Sequence, residues 1–220
     1  MRLNGLTRDF DTVIFDFDGT IVDSMWMWTD IDIEYLGRFG IDFRPEIQRD
    51  IEGMSVEETA VYFRDVLGVP RSVSEMRDDW IAMTLYRYEH EVKPKPYARE
   101  FISLLKDRGV KMGIATSNAV ENVRICLKSN RLESFFDVVI TSSDVARGKP
   151  FPDVYLHAAS LLGSDPENCI VFEDIPAGIA SGRAAGMETI AVYDDFSRDL
   201  TSEKISLADH YISDYGELMK

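Results

Sequence analysis

Short apolar runs, rich in β-branched residues or bounded by turn formers, recur at Thr12 to Asp16, Lys111 to Thr116, Val138 to Thr141, Ile170 to Glu173 and Thr189 to Val192. Each predicts a strand. Between them the apolar positions take a helical spacing. "AREFISLLKDRG" sets Phe101, Leu104 and Leu105 on one stripe and stops at Gly109, directly before "VKMGIAT"; "DVYLHAASLLG" repeats the arrangement before "CIVFED". Strand and helix therefore alternate, which predicts an α/β protein with a doubly wound parallel sheet.

One region breaks the rhythm. From about Ser24 to Glu91 no strand pattern occurs, and "IDIEYLGRFG", "SVEETAVYFRDVLG" and "VSEMRDDWIAMTLYRYEHEV" read as helices. The expectation is a core of residues 1–22 and 93–220, interrupted by an all-helical insertion over 23–92. "KPKP", Lys93 to Pro96, reads as the linker back to the core. Met25, Trp26 and Trp28 are expected to pack between helices of the insertion rather than to wall a pocket. Gly178, Gly182 and Gly186 mimic a membrane-helix motif, but Arg183 and Glu188 argue against a lipid setting. Small residues that let a helix approach a sheet, with Gly186 ending it, fit better.

Composition narrows the function. The chain has 220 residues, enough for one sizeable domain with an insertion, and is 45% hydrophobic. With 24 basic against 39 acidic residues the net charge is -15, which argues against a nucleic-acid partner. A phosphate can still bind where a metal, a lysine and helix ends make the surroundings locally positive. Cys126 and Cys169 match no metal-binding or redox spacing and read as small buried residues. His90, His157 and His210 are widely separated, so zinc is not expected, whereas a hard cation with oxygen ligands is compatible. "MRLNGLTRDFD" lacks an apolar signal core and no run approaches a membrane span. A cytoplasmic protein without a membrane partner is expected; the sequence sets no oligomeric state.

Ligands of such sheets bind beyond the carboxyl ends of the strands, and the residues there carry the candidate chemistry. "VIFDFDGTIVDS" puts Asp16 and Asp18 after the first strand, on one side if strand geometry persists. Thr116, Ser117 and Asn118 follow the second and open a helix; "ARGKP" after the third offers Lys149; Glu173 and Asp174 end the fourth. Singly these have ordinary explanations, a helix cap or a solvated lysine. Together they suit phosphoryl transfer. Asp16, Asp174 and the backbone carbonyl of Asp18 are candidate Mg²⁺ ligands, with Glu173 touching the metal directly or through water. Asp16 would attack phosphorus and Asp18 would serve as acid and then base. Thr116 and the N–H groups around Ser117 and Asn118 would hold phosphate oxygens, and Lys149 would balance transition-state charge.

At these positions the chain resembles the haloacid dehalogenase superfamily of phosphotransferases, in its branch with a helical cap after the first strand. "DFDGT" looks like its first motif, Thr116 its second, Lys149 in "GKP" its third and "EDIPAGIASGRAAGM" its fourth. The resemblance implies a Rossmann-like core, Mg²⁺, an aspartyl-phosphate intermediate and a cap whose closure expels water and selects the substrate. Asp18 argues against the true dehalogenases, which lack it. "EGMSVEE" looks like the cap loop of the β-phosphoglucomutases, but Val56 and Trp28 stand where that group carries an arginine and a histidine. No lysine occurs from Ser24 to Glu91, against the Schiff-base chemistry of phosphonoacetaldehyde hydrolases. The reading is a phosphatase of a small phosphorylated metabolite, such as a sugar phosphate; a phosphosugar mutase is the alternative. A receiver-type signalling module, the reading from a different class, places its phosphoacceptor after the third strand and is shorter.

Overall fold

Residues 9–51, 54 and 56–219 are described by the structure, a computed structural model. Its strands are β1 (Thr12–Phe15), β2 (Val22–Asp23), β3 (Lys93–Pro94), β4 (Lys111–Thr116), β5 (Val138–Thr141), β6 (Cys169–Glu173), β7 (Glu188–Val192) and β8 (His210–Ile212). Six form one sheet in the order β5-β4-β1-β6-β7-β8, paired in parallel throughout. β1, β6 and β7 are buried at every residue, because helices cover both faces of a parallel sheet; hence their apolar runs are continuous rather than alternating. The doubly wound α/β fold matches the alternation of strand and helix in the sequence.

The chain leaves β1 to build β4 and β5 on one side and then crosses to β6 on the other. The carboxyl end of β1 is therefore the switch point of the sheet, where two strands diverge and a crevice opens. Its helices are α1 (Trp26–Gly37), α2 (Pro45–Ile51), α3 (Val56–Asp65), α4 (Val73–His90), α5 (Ala98–Asp107), α6 (Val120–Ser129), α7 (Asp153–Leu162), α8 (Pro176–Ala184) and α9 (Thr201–Leu207). Two compact units result, Met1–Met25 with Val92–Lys220, and Trp26–Glu91.

In the sheet unit, Phe15 stacks on Phe172 with centroids 5.0 Å apart, and Phe101 stacks on Tyr215 at 5.3 Å. Full burial of such rings contributes about 2–3 kcal/mol each. On the opposite face Ile14, Ala115, Val154, Tyr155 and Val171 share a second cluster with α7. Gly182 of α8 explains the small-residue pattern: a Cβ there would lie 3.0–3.1 Å from Thr189 and Val171, so any side chain would push these neighbours aside by a few tenths of an ångström. Gly186, with φ +80°, follows the helix end. Lys93–Pro94, read from sequence as a linker, pairs antiparallel with Val22–Asp23.

In the helical unit, α1 buries Met27, Ile31, Tyr35 and Leu36, a single stripe along the helix. That phase corrects the expectation for Trp28, which is 39% exposed; Trp26 is half-buried with the Arg87 guanidinium of α4 5.7 Å from its ring centre, and Met25 before the helix is half-buried. Trp80 of α4 is the buried tryptophan, edge-on to Tyr35 and Phe63. α4 starts at a reciprocal cap between Ser72 and Glu75. Within "EGMSVEE", Glu52, Gly53 and Ser55 lie outside the described residues. Cys126 and Cys169 are buried and unbridged; burial pushes both thiols up to about 12, which leaves them unreactive. Among the described residues no helix is long and apolar enough to cross a membrane.

Candidate active site

After β1 the backbone reverses within six residues. Phe17 carbonyl accepts from the N–H groups of Ile21 and Val22, and Gly19 N–H donates to Val22 carbonyl at 2.9 Å. Gly19 has φ +74°, and a Cβ there would lie 2.4 Å from an Asp174 carboxylate oxygen. The position thus excludes every side chain twice, by conformation and by the approach of Asp174. Asp16 N–H donates to Phe172 carbonyl at 2.9 Å, which sets Asp16 beside the end of β6.

Three carboxylates converge there. Asp16, Glu173 and Asp174 are all buried, and each offers an oxygen within 4.8 Å of the others. Lys149 Nζ reaches Asp16 Oδ1 at 2.6 Å and Glu173 Oε1 at 2.5 Å. Burial alone would push the Lys149 pKa down, but Asp16 and then Glu173 more than offset it, so the ammonium is held charged. Glu173 is pushed up to about 7, chiefly by burial, with Lys149 opposing and Asp16 adding. Asp174 is raised well above the usual carboxylate range by burial, then by the charges of Asp16, Glu173 and Asp194. One ammonium does not neutralise this set.

A divalent cation fits the donor set. The oxygens are hard donors, the cluster is buried, and Glu173 Oε2 has no hydrogen-bond partner although its side chain is fully enclosed. A buried anionic oxygen without a donor is costly unless a cation faces it. Asp18 stands apart from the three. Its carboxylate accepts from Ser24 Oγ at 2.6 Å and from Asn118 Nδ2 at 2.7 Å, so any part it takes in holding a cation falls to its backbone carbonyl.

The remaining candidates distribute as follows. Thr116 is buried at the end of β4, and its Oγ1 accepts from Asn118 N–H at 3.0 Å, leaving its own hydrogen to donate. Ser117 is exposed, with Ser142 Oγ 3.3 Å from its hydroxyl. Asn118 commits its amide to Asp18 and accepts from Asn122 Nδ2, so its side chain orients Asp18 rather than capping α6, whose N-cap is Ala119.

Several residues that the sequence reading assigned no role support the site. Tyr155 Oη donates to Glu173 Oε1, and Lys149 Nζ lies 5.3 Å from the centre of its ring. Thr20 Oγ1 donates to Asp174 Oδ1 at 3.1 Å, and Ser197 Oγ donates to Asp174 carbonyl at 2.8 Å. Behind Ser197 stands Lys204, fully buried, donating to Ser197 Oγ at 2.9 Å; beside it Lys95 pairs with Asp194 at 2.7 Å. The available signal was "YDDFS" after the fifth strand, at the same sheet edge as the motif residues. A Cβ at Gly178 would lie 1.9 Å from the Glu173 carboxylate, so glycine at the third position of α8 is what admits it.

Known proteins share this arrangement of chain. The family model described as haloacid dehalogenase-like hydrolase matches residues 13–192. A bifunctional riboflavin kinase/FMN phosphatase of Arabidopsis thaliana is 30% identical over 86% of this chain, which spans half of that longer protein. A phosphorylated carbohydrates phosphatase of Thermotoga maritima is 27% identical, over 82% of this chain and 83% of its own. Among solved structures, a Thermotoga maritima protein provisionally described as a β-phosphoglucomutase superposes with a TM-score of 0.82 at 24% identity, covering 92% of this chain and 94% of that one. With a family match running from β1 to the last residue of β7, this chain belongs to the haloacid dehalogenase-like hydrolases.

Proposed function

We propose that the protein is a Mg²⁺-dependent phosphatase that hydrolyses a small phosphomonoester, a sugar phosphate or related metabolite, through an aspartyl-phosphate. The observation that carries the reading is Lys149 bridging Asp16 and Glu173 at the edge of a buried three-carboxylate cluster. Phosphatases among its relatives, one of them acting on phosphorylated carbohydrates, support the substrate class.

Asp16 is the nucleophile. A carboxylate oxygen attacks phosphorus, the bond from phosphorus to the ester oxygen breaks, and a mixed anhydride forms on Asp16. Asp18, oriented by Ser24 and Asn118, gives its proton to the departing alkoxide, then takes one from the water that attacks the anhydride, releasing phosphate and restoring Asp16. Lys149 fixes Asp16 and faces the charge that builds on the phosphoryl oxygens. Thr116, Ser117 and the N–H groups leading into α6 hold those oxygens. Asp16, Glu173 and Asp174, with Asp18 carbonyl, would hold Mg²⁺, whose charge when bound offsets carboxylate repulsion and lets an anionic nucleophile meet an anionic phosphate.

The test is phosphate release from a panel of sugar phosphates, nucleotides and β-glucose 1-phosphate, with and without Mg²⁺, by the native protein and Asp16→Asn. Metal-dependent release that falls at least about 1000-fold in the variant is expected. Unchanged release by a clean variant preparation overturns the nucleophile assignment. Conversion of β-glucose 1-phosphate to the 6-phosphate without hydrolysis of any ester would make the protein a mutase instead.

A further inference from the structure

Glu173 is bonded on one oxygen only. Lys149 Nζ at 2.5 Å and Tyr155 Oη at 2.5 Å both meet Oε1, whereas Oε2 has no hydrogen-bond partner and the side chain is wholly buried. Two donors on a single oxygen, with nothing on its twin, is an uneven arrangement for a structural carboxylate, which would ordinarily spread its acceptors. It is the arrangement wanted of a metal ligand: one oxygen anchored, the other offered.

We infer that Tyr155 is a positioning residue for the cation site, its hydroxyl holding Glu173 by Oε1 so that Oε2 is presented as a direct ligand. The inference rests on the metal-dependent reading above and goes beyond it. It assigns a role to a residue outside the motifs. Three further observations support it. Tyr155 is itself fully buried, in the cluster formed with Ile14, Ala115 and Val171, so its hydroxyl cannot turn to water. Its ring faces the Lys149 ammonium at 5.3 Å, so the same side chain braces the other group on Oε1. Gly178 leaves no room on the α8 side, since a Cβ there would overlap the carboxylate; Glu173 is thus confined between α7 and α8. Partners of this kind, which orient a ligand without touching the metal, typically change metal affinity 10–100-fold when removed.

The competing explanation is a core tyrosine whose buried hydroxyl needs any acceptor. Tyr155→Phe separates the two, because it deletes one oxygen and keeps the ring. The probe is Mn²⁺, titrated into metal-free protein without substrate and followed by its electron paramagnetic resonance signal, with Mg²⁺ as competitor. The native protein should bind one Mn²⁺, Glu173→Gln should weaken it, and Tyr155→Phe should weaken it about 10-fold. The rise in melting temperature on adding Mg²⁺ should shrink in parallel. Tyr155→Leu removes the same donor with a different shape and should show the same loss, so a folding defect in one variant does not decide the matter. Mn²⁺ affinity within twofold of native in a folded Tyr155 variant, with Glu173→Gln impaired, overturns this inference alone. Native protein that binds no Mn²⁺ at millimolar concentration overturns the metal-dependent reading, and the inference with it.

Discussion

Raising the pH in the absence of metal should weaken this fold, and Glu173 sets how far. Its carboxyl ionises at about 7 in the folded protein against an ordinary 4.5, chiefly because it is buried, with Lys149 opposing and Asp16 reinforcing. Between those two values the folded chain binds more protons than the unfolded chain, so stability falls as pH rises through the window. Integrated from pH 5 to pH 8, at about 1.36 kcal/mol per pH unit of separation, the loss is about 2–3 kcal/mol. Asp174, raised by burial and by Asp16 and Glu173, acts in the same sense. The assay is urea unfolding at pH 5, 6, 7 and 8 in EDTA, on the native protein and on Glu173→Gln. Between pH 5 and 8 the native protein should lose about 2–3 kcal/mol more than the variant, and saturating Mg²⁺ should remove most of that difference by favouring the ionised form. Identical pH profiles for the two proteins in EDTA would refute the reasoning, because Glu173 would then ionise alike folded and unfolded.

Two further substitutions probe the same region. Lys149→Met leaves Asp16 and Glu173 buried without their ammonium; urea unfolding should show a loss of about 3–5 kcal/mol, and steady-state assay a fall in kcat of at least about 100-fold. Native stability in that variant would mean that its carboxylates take up protons or water at no net cost. Gly178→Ala would bring a Cβ to 1.9 Å from the Glu173 carboxylate, so α8 or the carboxylate must shift. A destabilisation of about 1–3 kcal/mol with weakened Mn²⁺ binding is expected, and calorimetry with the same titration checks both.

Strands β1, β4, β5, β6 and β7 were legible because burial on both faces turns each into an apolar run with turn formers around it. β8, His210–Ile212, escaped: it is three residues at the sheet edge, two of them half-buried, too short to show a period. β2 and β3 escaped for the same reason at two residues each. α2 buries only Ile47, so it carries no apolar stripe to read. In the candidate site, Asp16, Lys149, Glu173 and Asp174 announced themselves by type and by position after a strand. Tyr155 did not, because its place in an apolar helix pattern is equally that of a core residue, and only the fold shows its hydroxyl on Glu173. Ser197 is joined to Asp174 by a hydrogen bond between segments 23 residues apart, which no local pattern encodes, and Lys204 reaches the site only through Ser197. The expectation for Trp28 failed through phase: one position along α1 turns a side chain by about 100°, enough to turn Trp28 away from the buried face that Met27 occupies.

The short ribbon of Val22–Asp23 against Lys93–Pro94 holds both ends of the Trp26–Glu91 excursion side by side. An excursion whose ends are already fixed together can change in length and sequence at little entropic expense, since loop closure rises only slowly with length. The sheet, with its carboxylates and lysine, therefore need not change when the excursion does. In evolutionary terms, selection can rewrite the helical unit while the residues of the sheet edge stay as they are. Grafting a relative's excursion between Asp23 and Lys93 is accordingly a direct way to ask which molecules this framework can be taught to process.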